Sequence, residues 1–304
     1  MDSLSHFISL LAPKGSVDLH CRFAGNWFED HPQAEPGCLP YHVILSGKGI
    51  VELGNKKWLL AAGDLLLLPN GAPHLLKGLT EGEPMALMVS HHNGVLTKRV
   101  SEGDGPVLEM FCGEFRIGSS GSLLLNGSPE LMLIRTAERP DCEGLRMLLA
   151  MLGRESADNQ PGSKVIVREL STTLFTLILR ALITQIDAKP GLLSLLASSR
   201  LAPAVSSVLA EPNGNWTLAH LADRCNLSRA TFARHFSRCT SLTPQEWVTQ
   251  VRMTLGARLL IHGPQPIGSV AEQCGYLSQA AFSRAFKLYH GLSPGQYRCQ
   301  LRSY

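Results

Sequence analysis

Charge is scarce in this chain of 304 residues: Asp, Glu, Lys and Arg together make up 17%, against 44% hydrophobic residues. That balance predicts a soluble globular protein, and the length suggests two domains with ample core for each. No apolar run reaches the roughly 20 residues that a membrane-crossing helix needs, so no membrane partner is expected. The opening Met1-Asp-Ser-Leu-Ser-His lacks the basic start of a secretory signal, which makes the cytoplasm the expected location. Eight cysteines, Cys21, Cys38, Cys112, Cys142, Cys225, Cys239, Cys274 and Cys299, include no CxxC pair. A structural zinc site built on close Cys/His pairs is therefore not expected, and in a reducing compartment these cysteines are expected as thiols.

The net charge of +3 is unevenly spread. After Pro203, ten basic residues (Arg224, Arg229, Arg234, Arg238, Arg252, Arg258, Arg284, Lys287, Arg298 and Arg302) stand against four acidic ones (Glu211, Asp223, Glu246 and Glu272), which leaves +6 there and −3 elsewhere. Such asymmetry fits a nucleic-acid-binding end joined to a different kind of domain. Within that end one pattern occurs twice, from Trp216 to Phe236 and from Ile267 to Phe286. Each copy has a helical run of about two turns, a polar or glycine break, then a serine (Ser228, Ser278) suited to cap a second helix. Helix, tight turn and helix make a helix-turn-helix, whose second helix enters the DNA major groove.

In the second helices Phe232 and Phe236, and Phe282 and Phe286, are four residues apart and share a face that should be buried. Arg229 and Arg234 in one copy, and Gln279, Ser283 and Arg284 in the other, are left for a partner. Arginine pairs bidentately with guanine and glutamine with adenine. Pro244 to Ile261 predicts a linking helix of about 18 residues, about 27 Å long. That length suits two reading helices held near one DNA turn, about 34 Å, apart.

Thr243-Pro244, Trp247, Arg252, Leu259-Leu260, Ile267, Val270-Ala271, Gly275-Tyr276, Phe282-Ser283-Arg284, Phe286-Lys287, Gly291, Ser293-Pro294 and Tyr297-Arg298 resemble the DNA-binding domain of AraC/XylS-type transcription regulators. The resemblance covers about the last third of the chain. It implies DNA contacts from Arg229, Ala230, Ala233, Arg234, Gln279, Ala280, Ser283 and Arg284, the alanines offering only methyl groups. It also implies double-stranded promoter DNA and RNA polymerase as partners, and an activator as the regulatory type. Gly256 departs from the family, which usually has Ala there; an interior Gly costs roughly 1 kcal/mol, so a softer helix is expected.

Up to about Ala137 the chain alternates short apolar runs, among them Tyr41–Leu45, Gly49–Leu53, Leu65–Leu68, Met85–Val89 and Leu108–Cys112, with Gly- and Pro-containing breaks. This predicts an antiparallel all-β barrel or jelly roll. Gly63-Asp64, Leu68-Pro69, Gly71 and His74 resemble the second cupin signature. In metal-binding cupins the first signature supplies two close His and a Glu, whereas Gly37 to Gly47 holds only His42 and no acidic ligand. With two candidate ligands where a catalytic metal needs at least three, the expectation is no metal, no cofactor and no catalytic residue. His42 and His74 are then either a hydrogen-bonded interior pair or part of a sensor pocket, and His91-His92 a solvated loop.

Helical periodicity follows over Leu145–Leu152 and Val165–Ile186, with a short helix over Leu192–Ser198. The expected architecture is multidomain α and β: a cupin-like sensor β-barrel over 1–140, a helical connector over 141–200, and an all-α tandem helix-turn-helix domain over 201–304. The connector either dimerises or packs on its own barrel.

The barrel with Pro36-Gly37, His42, Gly63-Asp64, His74 and Cys112-Gly113, and the opening residues with Ala12-Pro13, Gly15 and Cys21, resembles the cupin-type half of the reactive-chlorine-responsive members of the family. That resemblance implies redox sensing through Cys21 and Cys112. A thiolate attacks an electrophilic oxidant, and the product condenses with a second thiol. His20 and Arg22 are neighbours in sequence that could supply positive charge. Two passive buried cysteines, a regulator that binds a small ligand in the barrel, and a metal-dependent cupin enzyme are the readings that stay open.

Overall fold

The computed structural model describes residues 2–80, 82, 87–125, 127–158, 160–185 and 191–302. In chain order, α1 (Ser3–Leu11) precedes β1 (Lys14–Phe23), β2 (Phe28–His31), β3 (Cys38–Ser46), β4 (Lys48–Leu53) and β5 (Lys56–Ala61). Then come β6 (Asp64–Leu67), β7 (His74–Lys77), β8 (Met88–His92), β9 (Thr97–Ser101), β10 (Leu108–Arg116), α2 (Gly118–Ser122) and β11 (Met132–Arg135). The remainder is helical: α3 (Glu143–Asp158), α4 (Ser163–Ile183), α5 (Leu192–Ala197), α6 (Ala202–Ala210), α7 (Leu218–Arg224) and α8 (Arg229–Thr240). It ends with α9 (Pro244–His262), α10 (Ile267–Gln273), α11 (Gln279–His290) and α12 (Pro294–Arg302). The chain divides into two compact units, one of residues 13–117 and 129–185, the other of 1–12, 118–128 and 186–304.

The first unit is built on two sheets, with strand orders β11-β6-β3-β10-β1-β9-β8 and β2-β7-β4-β5. Cys21 and Phe23 of β1, Ile44 of β3, Leu66 of β6 and Met110 and Cys112 of β10 meet Val51, Leu60 and Leu76 of the smaller sheet in one core. This is the cupin-like β fold expected from the short apolar runs, with two differences. The pairing of β1 with β9 is parallel, so the sheet is not wholly antiparallel. His91 and His92 lie in β8, paired with Lys98 and Thr97; their side chains are exposed, as in a loop, but the backbone is that of an edge strand. Of the predicted run Met85–Val89, Met85 and Ala86 lie outside the described residues.

One irregularity in the larger sheet sets up the site below. The register of β1 against β10 shifts between Val17 and Leu19, after which Leu19 lies opposite Cys112 and Cys21 opposite Met110. Gly113 sits at that shift. A Cβ there would come within 2.1 Å of the Ser16 carbonyl oxygen and 2.7 Å of the Tyr41 hydroxyl. Its absence lets the Tyr41 hydroxyl donate to the Ser16 carbonyl at 2.8 Å, tying β3 to β1 across β10.

In the second unit α9 packs against α8, α10, α11 and α12. Its start is fixed by a capping box: Thr243 N–H donates to the Glu246 carboxylate at 2.8 Å and Glu246 N–H to the Thr243 hydroxyl at 3.2 Å, with Pro244 at the first helical position. Helix α1, which the sequence pattern does not announce, buries Phe7, Leu10 and Leu11 and packs on α6 and α9, where Arg258 donates to the Ser9 carbonyl. Among the described residues no helix is long and apolar enough to cross a membrane.

Gly256 is buried in α9, and its position is not merely a soft spot. A Cβ there would stand 3.0 Å from the Phe282 ring and 3.2 Å from the Cys274 sulfur, both wholly buried. Gly256→Ala therefore trades a helix-propensity gain of about 1 kcal/mol against overpacking of about 1–3 kcal/mol. Thermal or denaturant unfolding is expected to show a net loss of about 1 kcal/mol.

Candidate functional site

The two sequence copies fold into two matching helix pairs, α7–α8 and α10–α11. The first helix of each pair buries Leu221 and Ala222 or Val270 and Ala271. Each turn contains a residue in the left-handed region, Asn226 at φ 52° and Gly275 at φ 76°. The second turn is one residue longer, because Tyr276-Leu277 replaces Leu227 before the capping serine. Ser228 accepts from Thr231 N–H at 3.2 Å, and Ser278 from Ala281 N–H at 3.2 Å. Both second helices then end on a left-handed residue, Ser241 or Gly291.

The burial of α8 and α11 is the same at each of their twelve positions. Phe232 and Phe236, like Phe282 and Phe286, are inside; Arg229, Ala230 and Arg234, like Gln279, Ala280 and Arg284, are exposed, and Ala233 and Ser283 are half-buried. Arg238 and Lys287 add exposed positive charge on the following turns. Arg252 has a different place. Its guanidinium donates to the Pro212 and Gly214 carbonyls, each at 2.8 Å, and lies over the Tyr276 ring.

A second cluster lies inside the sandwich. Strand register sets His42 opposite Cys112 and His31 opposite His74. His42 Nδ1 is 3.1 Å from the Cys112 sulfur, its Nε2 is 2.8 Å from His74 Nε2, and His74 Nδ1 is 2.9 Å from the Ala72 carbonyl oxygen. Burial lowers the pKa of all three histidines, His31 to about 4, so the rings are neutral. Since a carbonyl only accepts, His74 carries its proton on Nδ1 and offers a lone pair at Nε2. His42 then donates from Nε2 and accepts the Cys112 S–H at Nδ1. The neighbouring Cys21 thiol and burial push the Cys112 thiol well above the ordinary range.

His20 and Arg22 do not serve Cys21. They alternate with it along β1 and so point to the other face, where His20 contacts Glu109 at 2.7 Å and packs on Phe111. The expectation of at most two histidine ligands is also corrected, because the β2–β7 pairing brings His31 in. Its ring stacks on His74 with centroids 4.6 Å apart, and its Nε2 is buried with no hydrogen-bond partner among the described residues. The cupin arrangement of two His and a Glu from one strand is still absent, since Val43 and Ile44 follow His42. Spacing along the chain could not have revealed His31, which is read only once the strands are paired.

Residues 2–184 match the family described as Cupin, and residues 221–300 match the Helix-turn-helix domain. An uncharacterized HTH-type transcriptional regulator of Haemophilus influenzae is 31% identical, with 98% of each chain covered. The RCS-specific HTH-type transcriptional activator RclR of Escherichia coli is 28% identical, with 99% of each covered. Among solved structures, the DNA-binding domain of AdpA in complex with a target DNA is 32% identical over 35% of this chain and 96% of that one, with a TM-score of 0.34. The chain belongs to the AraC-type helix-turn-helix transcription regulators with an amino-terminal cupin domain, and it is a DNA-binding regulator.

Because Ser278 orients the first turn of α11, Ser278→Ala should cost about 1 kcal/mol while Ser278→Asp restores most of the loss. Thermal unfolding monitored by circular dichroism measures both.

Proposed function

We propose that this protein is a transcription activator that responds to reactive chlorine by joining Cys21 to Cys112. The observation that carries this reading is the placement of Cys21 and Cys112 on the paired strands β1 and β10, within one core cluster of the β unit. Cys21 is 1% and Cys112 5% exposed, so a small neutral oxidant such as hypochlorous acid has better access than a bulky or charged one. The chemistry balances. One sulfur takes chlorine from HOCl as the O–Cl bond breaks, and its proton leaves in water. The second sulfur then displaces chloride and releases its own proton, so two thiols and HOCl give a disulfide, water and HCl. The similarity to the RCS-specific activator of Escherichia coli supports the choice of oxidant.

In this reading Arg229, Ala230, Ala233 and Arg234 of α8 and Gln279, Ala280, Ser283 and Arg284 of α11 face promoter DNA in successive major grooves. Exposed placement of six of the eight, with the phenylalanines turned inward, supports the assignment. The cytoplasm is the site of action and RNA polymerase a partner. Dimerisation through the connector is supported by exposed Met147 and Met151 on α3 and Val165 and Ile166 on α4, an apolar surface suited to a second copy.

With duplexes selected from a random pool, Arg234→Ala is expected to cost about 1–3 kcal/mol at one cognate base pair. A footprint unaltered by replacing Arg234 and Arg284 together would overturn the DNA assignment. Hypochlorite should yield a Cys21–Cys112 linked peptide by mass spectrometry and change binding or transcription, and Cys21→Ser should abolish both effects. A response that persists in Cys21→Ser, with no linked peptide in the parent chain, sinks the thiol reading and favours a ligand-responsive regulator.

A further inference from the structure

We infer that His31, His42 and His74 form a three-imidazole site for a divalent first-row transition metal of the zinc class. The set differs from the one-strand His/His/Glu arrangement of metal-binding cupins, since its members come from β2, β3 and β7. Their candidate ligand atoms all lie within 4.8 Å of one another. Zinc–nitrogen bonds of about 2.0–2.1 Å put tetrahedral ligand nitrogens about 3.4 Å apart. The 2.8 Å between His42 and His74 Nε2 therefore has to open by only about 0.6 Å.

Two features point to an ion rather than to packing alone. The Nε2 atom of His31 is buried without a hydrogen-bond partner among the described residues, which is unfavourable unless something fills its lone pair. The nitrogens facing away from the cluster are also held as ligand histidines are. His74 Nδ1 donates to the Ala72 carbonyl and His42 Nδ1 faces the Cys112 sulfur, at 2.9 and 3.1 Å. Such outer partners fix the tautomer and aim the other nitrogen at the metal. Binding also requires the His31 and His74 rings, now parallel, to tilt toward one point as ligand atoms up to 4.8 Å apart draw together. The His42 proton moves from Nε2 to Nδ1, and the His42–Cys112 hydrogen bond reverses so that sulfur accepts. No proton is lost from the three rings, which are neutral before and after. Neutral imidazole suits zinc, copper, iron and nickel, and three protein ligands leave one tetrahedral position for water.

The full-length chain, without a histidine tag, would be stripped with chelator and titrated with Zn²⁺ against a chromophoric competitor, then with Co²⁺ while its visible spectrum is followed. One equivalent of each metal per chain is expected, with a tetrahedral cobalt spectrum. His31→Gln should weaken Zn²⁺ binding at least about a hundredfold, and Cys112→Ala by about 10–100-fold through loss of the outer partner. His31 ends the edge strand β2, so His31→Gln should keep its fold, which circular dichroism checks. Replacing exposed His91 and His92 together should change nothing. Absence of stoichiometric metal, or equal affinity in folded His31→Gln, overturns the inference. A chain that binds no metal yet still forms the Cys21–Cys112 bond loses this site and keeps the oxidant reading.

Discussion

The pairing of β10 with its two neighbours is the constraint on which the cupin-like half depends. Side chains alternate across a sheet, so a slip of one residue would turn every inward group outward. With the observed register Cys112 lies opposite His42 on one side, and on the other opposite Leu19, two residues before Cys21. Cys21, Met110 and Cys112 then share one interior face. The Tyr41–Ser16 hydrogen bond over Gly113 holds the register at the point where β1 shifts. A side chain at 113 would push those strands apart, so the small residue beside Cys112 is as much part of the site as the sulfur.

The DNA-binding half follows the same logic in helical form. A helix that must bury two phenylalanines on one face and rest its flanks on neighbours has only one face left for a partner. Two helices fifty residues apart meet that condition at identical positions. The longer second turn does not disturb the match, because Gly275 takes up the left-handed conformation and its missing side chain leaves room for Asn213 and the Arg252 guanidinium. Arg252, basic and in the basic half, thus serves the fold: charge counts mark the half that meets DNA, whereas hydrogen-bond partners decide which arginines are available to it.

Local signals carried most of this into the sequence. Serine caps, the four-residue phenylalanine spacing and Pro244 at a helix start act within one turn of helix, and the helices appeared where those signals stood. Interactions between distant segments were not legible. His31 and His74 are brought together by strand pairing, and nothing in the residues around His31 announces it. The parallel β1–β9 pair is hidden for the same reason, as is the association of α1 with α6 and α9. Gly256 was legible as a departure from a pattern, but its reason, the Phe282 ring from a helix more than twenty residues later, was not.

The direction of the hydrogen bonds gives the proposed oxidation its energetic weight. In the reduced core the Cys112 proton fills the lone pair of His42 Nδ1, and every link from there to the Ala72 carbonyl has one donor and one acceptor. A disulfide has no proton to give, so oxidation leaves a buried imidazole nitrogen without its donor, at a cost of about 1–3 kcal/mol. Rotating the His42 proton to Nδ1 would not help, because it would only move the vacancy to the 2.8 Å contact between the two Nε2 atoms. The penalty lies in the range of couplings by which one site in a protein biases another, about 1–3 kcal/mol. The same reversal is what a cation among the three imidazoles would require, and there the vacancy between the Nε2 atoms is filled by the metal instead of being left open. Thiol state and metal occupancy thus act on one proton, that of His42.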